Sequence, residues 1–345
     1  MKKILIIKIS SLGDVLHAFP AVSLIAEKYK DAQIDWLVNP AFSPILQYNK
    51  CIHRIISFPR RALGSPLTFP RAFVNLIREI RLEKYDMVLD LQGLLRSAFF
   101  AKFARTSVIA GFDSPKERAA VFFYNRRIFP GAEHVHAVDK NVGFISKLLD
   151  LPFNVPESPL PEDKWNMDRL AGILGKSNVS RNDMIIGIAP GARWESKQWP
   201  PLFFAKVMDL LESRIPGYRF LLLGSADELE TCRRIASSCE KAKPVIIAGE
   251  TGIGELVEAI RISKCLLCND SGPMHIAASL KIPAFAMFGP TDPAKTGPYG
   301  EMHSVFQPEL DCIKCLKRYC PGKNYVCQKS VKPDLVADGI IDLLR

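Results

Sequence analysis

Residues 3–17 read KILIIKISSLGDVLH, and this stretch indicates the fold. The run Ile4–Ile9 is apolar apart from Lys8, as expected of a strand that is buried on both faces. A polar turn follows, and a helix with a kink at Pro20 is predicted over Val15–Tyr29. A loop that leads from a buried strand into a helix is typical of a parallel α/β sheet, which binds its ligands at the carboxyl ends of the strands.

The same alternation continues along the 345 residues, with further strands predicted at 34–38, 87–91, 108–111, 185–189, 220–223, 245–248, 264–268 and 284–288. The segment 151–162, LPFNVPESPLPE, has four prolines in twelve residues, so it predicts an interdomain linker. We expect a first domain at 1–155, the linker and the first helix of the second domain at 156–180, the second domain at 181–330, and a final helix at 331–345.

The charge of the chain is unevenly distributed. Residues 1–150 carry 22 Lys/Arg and 13 Asp/Glu, a net charge of +9, whereas residues 151–345 carry 24 and 23, a net charge of +1. Either the first domain meets nucleic acid, acidic lipid or an acidic substrate, or the charge serves solubility alone. Lys8 cuts the first apolar run too early for a signal peptide, and no apolar run approaches the ~18 residues of a spanning helix, so we expect a cytoplasmic protein.

The turn after the first strand, SSLGDVLH at 10–17, is the first candidate site. Gly13 permits a tight turn and the close approach of a ligand. Asp14 is either a general base that faces the ligand or a residue that caps the helix and complements its dipole.

Two loops in the second domain carry the remaining polar candidates. APGARWESKQWP, at 189–200, combines a glycine turn with Arg193 and Lys197, which suits a diphosphate unless these basic residues are incidental. CNDSGPMH, at 268–275, opens a helix whose free N–H groups suit an anion, and the alternative is a helix cap without a ligand. In the first case Asp270 would accept sugar hydroxyls and His275 would reach phosphates.

Several motifs of other enzyme classes are missing from the sequence. No G-x-G-x-x-G follows a strand, and neither G-x-x-x-x-G-K-[ST] nor H-E-x-x-H occurs. The first two absences argue against a nicotinamide enzyme and an ATPase. No Asp-x-Asp pair for a divalent ion is present either.

Taken together, the motifs resemble those of the ADP-heptose–lipopolysaccharide heptosyltransferases, glycosyltransferase family 9, with heptosyltransferase I as the nearest type. The matching segments, in order, are residues 8–17, Asp90–Ser97, Phe123–Arg126, Lys197–Pro200, Asn269–His275 and Phe288–Pro293. The resemblance implies the GT-B architecture, in which two Rossmann-like parallel-sheet domains face each other across a cleft, with the final helix returning to the N-terminal domain.

The resemblance also implies roles for individual residues. Asp14 would deprotonate the acceptor hydroxyl, and Lys197 would stabilise the leaving ADP without a metal. The other implied donor-binding residues are Arg193, Glu228 at the ribose, Thr251 near the adenine, Asp270 at the heptose, Ser271, Gly272, Met274 and His275. The implied acceptor-binding residues are Ser11, Gly13, Arg60, Arg61, Gln92, Arg96 and Arg118.

The implied donor is ADP-L-glycero-D-manno-heptose, and the implied acceptor is the Kdo region of lipid A. Because that acceptor is anchored in lipid, the resemblance places the protein in the cytoplasm, peripheral on the inner face of the inner membrane. No nucleic-acid partner is expected, and no cofactor is required for catalysis.

Four cysteines, Cys312, Cys315, Cys320 and Cys327, cluster near the C-terminus and depart from the heptosyltransferase I pattern. They form a structural metal site, remain reduced thiols or form redox-labile bridges, and the spacing leaves all three alternatives open. The basic residues near them, which would touch membrane phosphate or be solvated, are Lys314, Lys317, Arg318, Lys323 and Lys329.

The segment that contains these cysteines leaves alternative functions open. This segment looks more like heptosyltransferase II, and faintly like protein-directed heptosyltransferases that bind iron through cysteines. A nucleotide-sugar epimerase of similar fold and a basic nucleic-acid-binding α/β module are further alternatives. The latter would require aromatic residues interleaved with Lys/Arg on one face, whereas Phe and Tyr here fall mostly in predicted helices and strands.

Overall fold

The structure, a computed structural model, describes residues 1–322 and 324–345. The chain divides into two compact units, Met1–Leu160 and Pro161–Arg345, and the division falls inside the proline-rich segment that was predicted as the linker. In the described residues, no helix is both long enough and apolar enough to span a bilayer.

The first unit is built on one parallel six-stranded sheet. Its strands are β1 (Lys3–Ile7), β2 (Gln33–Val38), β3 (Ile52–Ser57), β4 (Met87–Asp90), β5 (Ile109–Phe112) and β6 (Arg126–Ile128). Its helices are α1 (Leu12–Leu16), α2 (Phe19–Lys28), α3 (Ser43–Leu46), α4 (Arg60–Leu63), α5 (Phe69–Ile80), α6 (Leu95–Ala101) and α7 (Ala137–Leu149). The strand order β3-β2-β1-β4-β5-β6 reverses direction between β1 and β4. Ligands of open α/β sheets bind at this kind of reversal.

The second unit repeats this topology. Its strands are β7 (Ile185–Ala189), β8 (Arg219–Leu222), β9 (Val245–Ile246), β10 (Ser263–Asn269), β11 (Ala284–Met287) and β12 (Ser304–Phe306). Its helices are α8 (Lys164–Gly175), α9 (Pro201–Arg214), α10 (Leu229–Ser237), α11 (Ile253–Arg261), α12 (Gly272–Ser279), α13 (Pro293–Thr296), α14 (Val326–Ser330) and α15 (Pro333–Leu344). The order β12-β11-β10-β7-β8-β9 places the reversal between β7 and β10.

The predicted strands are confirmed with small shifts at their ends, and three edge strands, β3, β6 and β12, were not predicted. Edge strands are short and partly exposed, so they lack the continuous apolar run of a central strand. The helix predicted over Val15–Tyr29 is two helices, because α1 ends at Leu16 and Pro20 lies in the first turn of α2 rather than at a kink.

The position of the final helix, α15, requires a correction. Val336, Ala337, Ile340 and Ile341 are fully buried in the core of the second unit, where α15 packs against α9. The prediction that this helix returns to the first domain is therefore wrong, since its apolar face is used within its own unit. An amphipathic pattern predicts a buried face, but it does not identify the surface that covers this face.

Candidate active site

The candidate site of the first unit is the turn between β1 and α1, which holds Asp14 by local hydrogen bonds. The Asp14 Oδ2 atom accepts the backbone N–H of Ser11 at 2.8 Å and its hydroxyl at 3.1 Å. The other oxygen, Oδ1, lies 3.3 Å from the Nζ atom of Lys116. Gly13 is buried in the same turn. The Asp14 side chain keeps 26% of its exposure, so a ligand can reach it.

Two lysines control the charge of Asp14. Lys8 is 5% exposed, and its Nζ atom donates to the carbonyl of Leu91 at 2.5 Å. Burial lowers the pKa of Lys8 to about 8, although the Asp14 charge opposes this shift. Burial alone raises the pKa of Asp14, but Lys8 and Lys116 outweigh it and hold this pKa well below its ordinary value. Asp14 is therefore ionised at neutral pH, as a general base must be.

The loop after β4 supports this turn from the neighbouring strand. The Oε1 atom of Gln92 accepts the N–H groups of Ile9 at 2.8 Å and Ser10 at 3.0 Å. Asp90, which is fully buried, accepts the N–H of Gln92 at 2.9 Å and the hydroxyl of Tyr124 at 2.7 Å. Burial raises the pKa of Asp90, while these hydrogen bonds act against the shift. Gln92 was predicted to bind the acceptor, but its side-chain oxygen is used to hold the backbone.

The four predicted acceptor arginines are all exposed, and they fall into two places in the first unit. Arg96 and Arg118 flank a contact between two loops, in which the N–H of Glu117 donates to the Gly93 carbonyl at 3.0 Å. This contact lies next to Lys116 and hence close to Asp14. Arg60 and Arg61 lie on α4, which follows the edge strand β3, two strands away from β1.

The second unit has its own candidate site at the loop after β7, which carries Lys197. The Nζ atom of Lys197 lies 2.7 Å from Asp270 Oδ2, and both side chains are largely buried. Thr291 donates its hydroxyl to the same Asp270 oxygen. The loop is fixed to β10, because Asn269 accepts the Trp199 N–H at 3.0 Å and donates to the Pro190 carbonyl at 2.6 Å. Two of the predicted residues, Lys197 and Asp270, are thus in direct contact.

The start of α12 follows β10 and lies beside this ion pair. Ser271 caps the helix, and Gly272 is its first residue. The Ser271 hydroxyl oxygen is buried without a hydrogen-bond partner among the described residues. The N–H of Met274 donates to the Ser271 carbonyl at 3.2 Å, and His275 is buried. A buried hydroxyl at a helix N-terminus suits a ligand oxygen.

The remaining donor candidates lie along the same edge of the sheet. Glu228 follows β8, where it accepts the Ser225 N–H at 2.7 Å, and Thr251 follows β9. A Cβ atom on Gly191 would lie 1.7 Å from Glu228 Oε1, so a larger residue at this position would displace the Glu228 carboxylate. Arg193 is exposed in the loop after β7. Residues after four adjacent strands therefore line one edge, which suits an extended ligand such as a nucleotide.

The cysteine cluster provides no arrangement of metal ligands. All nine cysteines are free thiols. Within residues 1–322 and 324–345, no three His, Cys, Asp or Glu side chains are grouped as a metal site would require. The proposed structural metal therefore has no support from the positions of these residues. Lys323, which belongs to the predicted basic patch, lies outside the described residues.

Sequence reasoning missed the roles of Lys8 and Lys116, which set the charge of Asp14, and of Asp90 and Tyr124, which hold the loop after β4. One signal was available for Lys8, because a charged residue that interrupts a buried strand needs a polar partner. Tyr124 was quoted only as part of the Phe123–Arg126 motif, since a contact between residues 34 positions apart is invisible to local pattern reading.

Comparison with known proteins identifies the family. The model of glycosyltransferase family 9 (heptosyltransferase) matches residues 73–326. Lipopolysaccharide heptosyltransferase 1 of Pseudomonas aeruginosa is 31% identical over 92% of this chain and 87% of its own length. Lipooligosaccharide heptosyltransferase 2 of Campylobacter jejuni is 28% identical over 97% of this chain and 96% of its own length.

A solved structure gives the same answer for the fold. Escherichia coli heptosyltransferase WaaC with ADP superposes with a TM-score of 0.79, with 99% of each chain covered and 23% identity. This similarity confirms the predicted GT-B architecture of two Rossmann-like domains. Since the family model covers well over half of the sequence and the Pseudomonas relative exceeds 30% identity, the chain belongs to glycosyltransferase family 9, the heptosyltransferases.

Proposed function

We propose that this enzyme is a heptosyltransferase I, which transfers heptose from ADP-L-glycero-D-manno-heptose to the Kdo region of lipid A. The environment of Asp14 carries the proposal: a partly exposed carboxylate, held by Ser11, whose charge is maintained by Lys8 and Lys116. An inverting transferase needs such a base, because the acceptor hydroxyl must lose its proton as it attacks the anomeric carbon.

In the proposed reaction, Asp14 takes the proton of the acceptor hydroxyl while the acceptor oxygen forms a bond to the anomeric carbon. The bond between that carbon and the ADP oxygen breaks, and ADP leaves with the electron pair. Lys197 stabilises the charge that develops on the diphosphate, and Ser271 and the N-terminus of α12 bind its oxygens. Asp270 exchanges its contact with Lys197 for heptose hydroxyls.

The donor half of the proposal assigns a part of the nucleotide to each loop along the edge of the second sheet. Glu228 binds the ribose, because a carboxylate accepts two hydroxyl hydrogen bonds, and Thr251 lies near the adenine. Arg193 and His275 complete the proposed diphosphate site. In the first unit, Arg60, Arg61, Arg96 and Arg118 bind the carboxylates and phosphates of the acceptor, for which guanidinium groups are well suited.

We also propose that the enzyme works peripherally on the anionic cytoplasmic face of the inner membrane. The segment that joins α4 to α5 supports this location. Leu67 is 94% exposed and Phe69 is 44% exposed, while Arg60, Arg61 and Arg71 around them are exposed as well. Exposed apolar side chains among arginines suit an anionic membrane, because arginines contact the lipid headgroups and the apolar side chains reach the acyl chains.

A coupled assay of ADP release tests the reaction. Purified enzyme receives ADP-heptose with Kdo-lipid A or, in parallel, with Kdo-lipid A that already carries one heptose. Release with the first acceptor only is the expected result. Release with the second only would replace the assignment by heptosyltransferase II, which the Campylobacter relative, similar over 97% of this chain, makes the second candidate. Release with neither would overturn the proposed acceptor.

A further inference from the structure

The cysteine-containing segment, residues 310–322 and 324–330, packs against the loop that carries Lys197. Ser196 is the centre of this contact: its hydroxyl donates to the Lys317 carbonyl at 2.6 Å, and its N–H donates to the Arg318 carbonyl at 3.2 Å. Gln328 donates its amide to the Ser196 carbonyl at 2.9 Å. Ser196 and Gln328 are buried, so these bonds are protected from water.

The same segment also holds the loop after β11, which carries the partner of Asp270. The N–H of Leu316 donates to the Pro290 carbonyl at 2.7 Å, and the Lys314 ammonium lies 3.0 Å from Asp292. Thr291, between these two anchors, is the residue that donates to Asp270. The cysteine-containing segment therefore joins both loops that shape the Lys197–Asp270 pair.

Arg318 is the basic residue that this packing brings next to the donor loop. Its guanidinium carbon lies 5.8 Å from the centre of the Trp194 ring, and Lys197 Nζ lies 4.9 Å from the centre of the same ring. The charge of Lys197 is already balanced by Asp270 at 2.7 Å. A diphosphate carries more than one negative charge, so in a site without a metal a further guanidinium beside Lys197 and Arg193 strengthens its binding.

We infer that Arg318 is a donor-binding residue, whose guanidinium contacts the diphosphate of the nucleotide sugar from the side of Trp194. This inference rests on the proposed nucleoside-diphosphate donor, and it assigns to the cysteine-containing segment a part in binding. The planar guanidinium can donate two parallel hydrogen bonds to phosphate oxygens, and Trp194 and the backbone contact with Ser196 restrict where it can lie.

Calorimetric titration of ADP and AMP into the full chain tests the inference. Arg318→Ala should weaken ADP binding by about 10- to 100-fold, as expected for the loss of charge-assisted hydrogen bonds. AMP, which lacks the second phosphate, should lose clearly less. Arg318→Lys, which keeps the charge but not the planar fork, should lie in between. Lys329→Ala, which removes an exposed charge from the same segment, is the matched control and should bind like the parent.

Two outcomes would overturn the role of Arg318. If Arg318→Ala binds ADP with the affinity of the parent, Arg318 does not contact the diphosphate. The same conclusion holds if Arg193→Ala is the only variant that loses ADP affinity. An equal loss for ADP and AMP would indicate disrupted packing rather than a phosphate contact. A parent protein that binds no ADP would refute the proposed donor itself, so that this failure is distinguishable from failure of the inference.

Discussion

Lys8→Met should stabilise the protein at neutral pH, although the residue lies beside the proposed catalytic base. Lys8 is 5% exposed, and its pKa falls from 10.5 to about 8. This difference corresponds to a cost of about 3 kcal/mol for holding the charged side chain in the fold, with the attraction of Asp14 already included. Loss of the hydrogen bond leaves the buried Leu91 carbonyl without this donor and costs about 1 to 3 kcal/mol, so a net gain of up to about 2 kcal/mol is expected.

The pH dependence of this gain follows from the sign of the shift. The folded pKa lies below the unfolded value, so the unfolded chain binds more protons between pH 8 and 10.5, and the parent becomes more stable as pH rises through this range. Below pH 8 the cost of the buried charge is fully present. The advantage of Lys8→Met should therefore be largest at pH 7 and should disappear toward pH 10.5.

Urea unfolding of parent and variant at pH 7, 8.5 and 10 measures this difference, with the exposed Lys30→Met as the matched control. In the same variant the acid limb of the transfer rate should move to higher pH, because Lys8 lowers the pKa of Asp14. A variant that is less stable than the parent at pH 7, or whose advantage does not change with pH, would refute the reasoning.

Three further changes test the site and its surroundings. Asp14→Asn should abolish transfer while ADP titration still shows parental affinity, since base and donor residues belong to different units; turnover within a few-fold of the parent would remove Asp14 from the mechanism. Gln92→Leu should lower kcat with the acceptor KM unchanged, because Gln92 holds the Ile9 and Ser10 N–H groups; a raised KM alone in steady-state assays would instead support the predicted acceptor contact. The pair Leu67→Ser and Phe69→Ser should reduce co-sedimentation with phosphatidylglycerol vesicles by about tenfold or more, as the loss of two apolar contacts requires. Leu202→Ser, on the second unit and 61% exposed, should not change it, and an equal effect of both would contradict a specific surface.

The fold was readable from the sequence because both sheets are parallel and covered on both faces. Their central strands are therefore continuous apolar runs, such as Ile185–Ala189, which is buried at every position. The edge strand β3 was not readable, because it contains His53 and Arg54. These two residues pair with the buried Asp35 of the neighbouring strand, a contact that local periodicity does not reveal.

The candidate site was predictable to the extent that its residues follow strands. Lys197 and Asp270 were identified from separate loops, and parallel topology brings the loops after β7 and β10 together. The contacts of Lys116 with Asp14 and of Arg318 with Trp194 could not be predicted, since each joins two loops that are distant in sequence. Sequence patterns locate the ends of strands, whereas such contacts depend on the packing of long loops.

The burial of α15 in the second core also determines the order in which the two units can fold during translation. The first unit is complete at residue 160, whereas the second core stays open until residues 333–344 have been made and can cover α9. At the usual speed of translation, the first unit has roughly 10 to 40 s to fold before its neighbour can. Until α15 is made, the unfinished second unit exposes the apolar surface of α9 that this helix later covers. We expect chaperones to bind the nascent chain at this surface.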